Sequence, residues 1–308
     1  MIQVSQLRVD YDQVCAVQSL DLEIQAGEIF GLIGPNGAGK TSTLRAVMGL
    51  IEPTSGEIRL DGLDLHEQRE AALQRLGFMP DFSPLYEDLT VWEFLDLWAH
   101  SYEVPAPDRE RLITEKLEVV DLTEKRDAFT AGLSRGMKQR LMLAKTLIPD
   151  PPIVLLDEPA SGMDPHSRLL LRNIVIELGR CGRAVVLSSH ILAELSEMCT
   201  SIGIMERGRM VVSGRVEEIR QQVMGHSELV IQVLGDSEAL LELLRRDTAV
   251  GPVQAAADAY RFPFAGDDEA AADLLARLVG QGIRVASYHR HTAGLDELFM
   301  RVGAREVA

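Results

Sequence analysis

Apolar and polar positions alternate over residues 2–9 and again over 20–24, the period-two pattern of half-buried strands. Residues 28–33 form a short apolar run, Ile29-Phe30-Gly31-Leu32-Ile33, that predicts a buried strand, and Lys40–Gly49 follows with helical spacing. A turn at Pro53-Thr54-Ser55-Gly56 leads into a strand at Glu57–Leu60. From about Ser83 to Gly132 the character changes. β-Branched runs disappear, and Ile113, Leu117 and Val120 fall at i, i+4 and i+7, one apolar face of a helix. Pro152–Leu156 and Arg183–Leu187 then read as continuous apolar strands separated by a helix. Strands without alternation are covered on both faces, which predicts an α/β parallel sheet.

A second pattern starts after Val223-Met224-Gly225-His226. Lysine is absent from there on, and the order reads strand (Leu229–Leu234), helix (Ser237–Arg246), strand (Ala259–Phe264), helix (Glu269–Gly280), strand (Ile283–Tyr288). Leu240, Leu243 and Leu244 share one helical face, as do Leu274, Leu275 and Leu278. The expectation is two domains, 1–224 and 225–308, the second a small α+β unit of ferredoxin-like type. No internal repeat or low-complexity tract is present.

Composition narrows the class. The 308 residues carry 47 acidic and 31 Lys or Arg side chains, a formal net charge of −16, and 46% hydrophobic residues. These are the proportions of a globular protein, and the acidic balance argues against a nucleic-acid partner. Residues 225–308, with 13 acidic and 8 basic residues, are acidic as well. No apolar run approaches the length of a membrane span, and Met1–Ser5 lacks the start of a signal peptide. Cys15, Cys181 and Cys199 are odd in number and lack C-x-x-C spacing, so reduced, buried thiols in a cytoplasmic protein are expected.

The chemistry begins at Gly34-Pro35-Asn36-Gly37-Ala38-Gly39-Lys40-Thr41, a complete G-x-x-x-x-G-K-T loop between the predicted strand and helix. Its glycines let successive backbone N–H groups face one phosphate-sized hollow, and the following helix adds the positive end of its dipole. Lys40 would reach the β- and γ-phosphates, Thr41 would ligate Mg²⁺, and Ser42 follows in the first helical turn. Ile153–Leu156 ends in Asp157-Glu158. Alone that pair is as easily a strand-end cap. Beside a phosphate loop, Asp157 is placed at the metal and Glu158 can polarise the attacking water. Ser134 is an N-cap candidate for the helix that starts in Leu133-Ser134-Arg135-Gly136-Met137-Lys138-Gln139-Arg140. His190 follows a strand end, where a γ-phosphate should lie.

In this order the motifs resemble those of the nucleotide-binding subunit of an ATP-binding cassette (ABC) transporter, over roughly residues 1–224. Residues 34–41 are similar to the Walker A motif, 153–158 to Walker B, and 133–137 to the LSGGQ-type signature. Ser161-Gly162-Met163-Asp164 is similar to the D-loop, and His190 to the switch histidine. The resemblance implies an α/β P-loop fold with a mixed sheet core, an antiparallel β subdomain and a helical subdomain at about 83–145. It implies ATP and Mg²⁺ as ligands, with hydrolysis coupled to transport. Tyr11 falls where the family keeps an aromatic that stacks on adenine, and it is read as that residue; the alternative is a partly buried strand aromatic. The resemblance further implies a head-to-tail dimer in which Ser134 and Gly136 cap the other subunit's nucleotide, with Asp164 of the D-loop among the nucleotide-binding residues. A separate transmembrane permease would then hold the subunit at the inner face of the membrane.

Two positions depart from the family pattern. Arg135 and Met137 stand where LSGGQ has glycine and glutamine, and Asp81 stands where the Q-loop keeps glutamine. Asp81 is a further metal-ligand candidate, or a plain loop carboxylate. The Asp81 and LSRGM features, and a C-terminal segment ending in Gly294-Leu295-Asp296-Glu297-Leu298-Phe299, resemble ATPase subunits of type-two exporters. A soluble cassette ATPase acting on DNA or ribosomes and an importer subunit are the alternatives.

Overall fold

The computed structural model describes residues 1–81, 85–191, 195–219, 228–234, 238–256 and 259–291. The chain divides into two compact units, Met1–Val216 and Glu217–Ala308. The expected boundary at 224/225 and the Gly294–Phe299 segment lie outside the described residues, as does the expected start of the helical region at Ser83.

The first unit opens with β1 (Ile2–Tyr11) and β2 (Val14–Ile24), an antiparallel hairpin with Ile2 opposite Ile24 and Tyr11 opposite Val14. The second strand is longer than its sequence pattern implies. Next come β3 (Ile29–Ile33), α1 (Lys40–Val47), β4 (Ser55–Leu60), β5 (Leu63–Asp64), α2 (Arg69–Leu73) and β6 (Leu76–Met79). Three longer helices follow: α3 (Val91–Ser101), α4 (Ala106–Val119) and α5 (Arg135–Thr146). The unit closes with β7 (Ile153–Asp157), α6 (Pro165–Arg180), β8 (Ala184–Ser189), β9 (Ser201–Glu206) and β10 (Arg209–Arg215).

Two sheets result. One is antiparallel, in the order β2-β1-β4-β5; the other runs β10-β9-β3-β8-β7-β6 and is parallel except for β10. Every residue of β3, β7 and β8 is buried, as befits strands with helices on both faces. Leu44, Ala46 and Val47 of α1 join a core that contains both Ile2, Leu20 and Leu60 of the antiparallel sheet and Leu32, Leu155 and Val186 of the parallel one. That packing fixes the α1 start, and hence the phosphate loop, relative to both sheets.

The helical part is set by local signals. Thr90 and Glu93 form a reciprocal capping box at the start of α3. The predicted stripe Ile113, Leu117 and Val120 is fully buried. At the end of α4, Arg140 of α5 donates to the carbonyls of Val120 (2.7 Å) and Asp121 (2.8 Å), placing a buried cation on the negative end of that helix.

The second unit contains β11 (Glu228–Val233), α7 (Glu238–Arg246), β12 (Gln254–Ala256), β13 (Ala259–Pro263), α8 (Asp268–Gly280) and β14 (Val285–His291). Its sheet is antiparallel in the order β12-β13-β11-β14, so the element order βαββαβ with a split pairing is the ferredoxin-like arrangement. Leu240 and Leu244 of α7 and Leu274 and Leu278 of α8 pack on Leu229, Ile231 and Phe262. The three-residue edge strand β12 is an addition to the sequence pattern.

Candidate active site at the carboxyl ends of adjacent strands

β3, β8 and β7 lie side by side, and the loops leaving their carboxyl ends carry the chemistry. The glycine loop after β3 is held by close backbone contacts. A Cβ on Gly34 would sit 2.4 Å from the Met205 carbonyl oxygen, and one on Gly39 2.5 Å from that of Ala16. Gly39 also has φ of +105°, which only glycine adopts without strain. The Ala38 carbonyl accepts from Gly208 N–H at 2.9 Å, so the turn between β9 and β10 pins the loop from behind. Pro35, Asn36 and Gly37 remain exposed, as does Thr41 in the first turn of α1, while Ser42 is half-buried.

Lys40 is buried. Its ammonium donates to the Gly34 carbonyl at 2.6 Å and the Pro35 carbonyl at 3.4 Å, and lies 3.8 Å from Glu158 Oε1. Burial pushes the Lys40 amine below its ordinary value of 10.5, against the opposing pull of Glu158 and Asp157. The loop's own carbonyls satisfy the cation.

Asp157 ends β7 and is buried; Glu158 follows it with φ of +47°, a left-handed conformation that is costly for a residue with a side chain. Ser188 of β8 ties the two together. Its hydroxyl accepts from Glu158 N–H at 3.0 Å and donates to Asp157 Oδ1 at 2.5 Å. The sequence reading does not include Ser188. The register that places it opposite Asp157 is the only signal that would have found it, and that register is a property of the sheet. His190 follows β8, and its Nδ1 lies 2.9 Å from Glu158 Oε2. With Glu158 as the acceptor, Nδ1 is the donor of this bond. The three side chains Lys40, Glu158 and His190 thus form one array beside the glycine loop.

Other expected residues lie elsewhere. Ser134 is the N-cap of α5 and accepts from Met137 N–H at 3.3 Å. Gly136 packs so tightly on Ser167 that a Cβ would come within 2.4 Å of its hydroxyl. Asp164 is the N-cap of α6: both carboxylate oxygens accept from Ser167, from N–H at 3.0 Å and from the hydroxyl at 2.7 Å. Those bonds hold the Asp164 carboxyl below the usual carboxylate range. Among the described residues, no hydrogen bond or ion pair joins Ser134, Gly136 or Tyr11 to residues 34–41. Tyr11 is 40% exposed at the end of β1, on the hairpin whose second strand passes Gly39 at Ala16. Asp81 is exposed, and its backbone carbonyl accepts from Gln139 of α5 at 3.1 Å. Of the cysteines, Cys199 is buried, Cys15 is half-buried and Cys181 is exposed, which corrects the expectation of three buried thiols. No metal-holding group of three His, Cys, Asp or Glu side chains occurs among the described residues.

A glycine loop opening a helix after a buried parallel strand, with an acidic pair ending a strand of the same sheet, defines a P-loop nucleoside triphosphatase. Residues 17–161 match the family model described as ABC transporter. A Nod factor export ATP-binding protein I from Cupriavidus metallidurans is 34% identical over 312 residues, spanning 100% of this chain and 98% of that protein. A solved structure of an ATP-binding subunit of an ABC transporter is 32% identical, with a TM-score of 0.65 over 72% of this chain and 92% of that one. A dimeric bacterial ABC transporter cassette, 23% identical, shares the fold with a TM-score of 0.64 over 70% of this chain and 99% of that one. The chain belongs to the ATP-binding subunits of ABC transporters, and its activity is that of an ABC ATPase. Among the described residues no helix is long and apolar enough to cross a membrane.

Proposed function

We propose that the chain powers a separate membrane permease, as the ATPase of an exporter, through ATP-driven closure of a head-to-tail dimer of two copies. The observation that supports this reading is the Lys40–Glu158–His190 array, which lines one side of the glycine loop. Ser134 and Gly136, the other phosphate-binding candidates, stand at the N-terminus of α5 with their contacts turned to residues 137, 164 and 167. A helix N-terminus suits an anion, and a second copy would bring one to it. Two such sites are equivalent under a two-fold axis, as an isologous dimer requires.

With ATP seated on residues 34–41, Lys40 leaves the Gly34 carbonyl for the β- and γ-phosphates. Tyr11 offers its exposed ring to the adenine. Glu158 takes the proton of the attacking water, whose oxygen bonds the γ-phosphorus as the bond to the β-phosphate oxygen breaks, giving ADP and phosphate. His190 is held by Glu158 through Nδ1 and turns Nε2 to the γ-phosphate. The donor set suits Mg²⁺. Asp157 uses Oδ1 for Ser188 and keeps Oδ2, Thr41 presents an exposed hydroxyl, and Asp81 stands beyond β6 at the carboxyl edge of the same sheet. When bound there, the ion would neutralise charge on the phosphates.

Export is the direction supported by relatives whose names specify Nod factor export, together with Asp81 and the LSRGM signature. The transported molecule would touch the permease, so this chain carries no substrate pocket in this reading. Glu158→Gln tests the mechanism: ATP binding persists, turnover falls by about 10²- to 10⁴-fold, and ATP converts the monomer to a dimer in sedimentation. Normal turnover would remove Glu158 as the base. Co-purification of the native subunit with a polytopic membrane protein supports the transport role, and co-purification with nucleic acid contradicts it.

A further inference from the structure

Arg135 stands at the signature position where the family pattern has glycine. It lies across the loop that joins Glu158 to α6. Arg135 Nη2 donates to Ser161 Oγ at 3.3 Å, and the guanidinium plane covers Gly162 so closely that a Cβ there would sit 2.6 Å from Cζ and 2.7 Å from Nε. Gly162 has φ of +66° and no side chain, and that is what leaves room for the cation. Next to it, Gly136 packs on Ser167 and Asp164, the other end of the same loop.

The loop matters because of what it anchors. Glu158 sits in the left-handed region, which persists only where surroundings over-determine it. Ser188 holds its N–H, and its carbonyl accepts from Ser161 N–H at 3.0 Å. Ser161 is therefore bonded on its backbone to Glu158 and on its side chain to Arg135. A planar guanidinium that stacks on one residue and bonds its neighbour is more constrained than an ammonium would be.

We infer that Arg135 is a positioning residue for hydrolysis: it clamps the 158–164 loop onto the start of α5 and so fixes the carboxylate of Glu158. The inference rests on the reading of Glu158 as base. It makes the glycine of the family pattern the inferior residue in this chain, because a glycine at 135 would leave Ser161 and Gly162 uncovered.

The test is steady-state ATP hydrolysis by the full chain carrying Arg135→Ala, Arg135→Lys, Ser161→Ala, or Arg135→Ala with Ser161→Ala. Arg135→Ala and Ser161→Ala should each lower kcat about three- to tenfold at unchanged KM for ATP, the scale of one hydrogen bond. The double variant should be no slower than the slower single, and Arg135→Lys should fall between wild type and Arg135→Ala. In a Glu158→Gln background, Arg135→Ala should leave ATP-driven dimerisation unchanged. Independent, multiplying losses would overturn the inference, as would full activity of Arg135→Ala. Weakened dimerisation or raised KM at normal kcat would also overturn it, because Arg135 would then act on the nucleotide itself. If Glu158→Gln alone turns over ATP normally, the base reading fails and the inference fails with it; normal Arg135→Ala activity beside an inactive Glu158→Gln sinks the inference alone.

Discussion

The cassette and the C-terminal unit each set helices against a sheet over a core of fully buried aliphatic side chains, yet they differ in what else they bury. In Met1–Val216 the core takes in Lys40, Asp157, Ser188, Ser189, Gln139 and Arg140. Among the described residues of Glu217–Ala308, every buried side chain is apolar, from Leu229 and Ile231 to Phe262 and Leu278. A buried charge or hydroxyl costs free energy unless it is paired, so its presence marks a place where something besides stability is selected. Lys40, Asp157, Ser188 and Ser189 lie at or just beyond the strand ends beside the glycine loop, where Glu158 also occupies a strained conformation, whereas Gln139 and Arg140 of α5 bond backbone carbonyls. The second unit is built as a packing solution. The difference separates a unit that buries polar and charged groups from one whose described core is aliphatic and aromatic.

Substitutions can break this contrast. Lys40→Met should have the largest effect, abolishing measurable ATP hydrolysis. Because burial already holds Lys40 below its ordinary value, removing the charge should leave the thermal midpoint of the nucleotide-free protein unchanged or raised. A lowered midpoint would mean that Lys40 is stabilising and that the site is not a stored cost. Ser188→Ala comes next. Both Glu158 N–H and Asp157 Oδ1 lose a partner, and kcat should fall roughly tenfold while ATP affinity holds, since the scale is about one hydrogen bond to a charged group.

Phe262→Ala makes the reverse cut. It empties the core of the C-terminal unit and should destabilise that unit by about 3–5 kcal/mol, seen as an earlier unfolding transition, with ATP affinity of the cassette unaltered. A matching loss of ATP affinity would show that the two units are energetically one. The smallest effect concerns acid. Partial burial pushes the half-buried Asp247 carboxyl up, but hydrogen bonds from Ala249 N–H and Arg277 prevail and hold it below the usual carboxylate range. A lowered carboxylate stabilises the fold above its unfolded value, and that contribution is lost as pH falls through the folded value. Acid unfolding of the second unit should therefore begin below about pH 4, and Asp247→Asn should blunt that dependence.

How much of this was legible in the sequence depends on how local each feature is. Residues 34–41, Asp157, Glu158 and His190 were readable because each sits at the end of an apolar run, and the run identifies the strand. The burial of Ile113, Leu117 and Val120 was readable for the same reason. Features fixed by partners far along the chain were not. Ser188 acquires its role from the register between β7 and β8, Gln139 from a carbonyl 58 residues away, and Arg135 from a hydroxyl 26 residues away. Strand β12 is three residues of Gln and Ala on a sheet edge, too short for periodicity to register. Cys181, placed on the C-cap of α6, is exposed because a helix end offers no cover that a sequence pattern can foresee.

The central claim is that one chain supplies half of each ATP site. Mixing two inactive variants tests it most directly. Ser134→Arg spoils the capping half and Lys40→Met the loop half. In the mixed dimer one site combines the intact loop of the first chain with the intact cap of the second. Hydrolysis should be absent from either variant alone and reappear on mixing. If Ser134→Arg is fully active alone, or if no activity returns from mixed dimers shown to form, the two-chain site is contradicted.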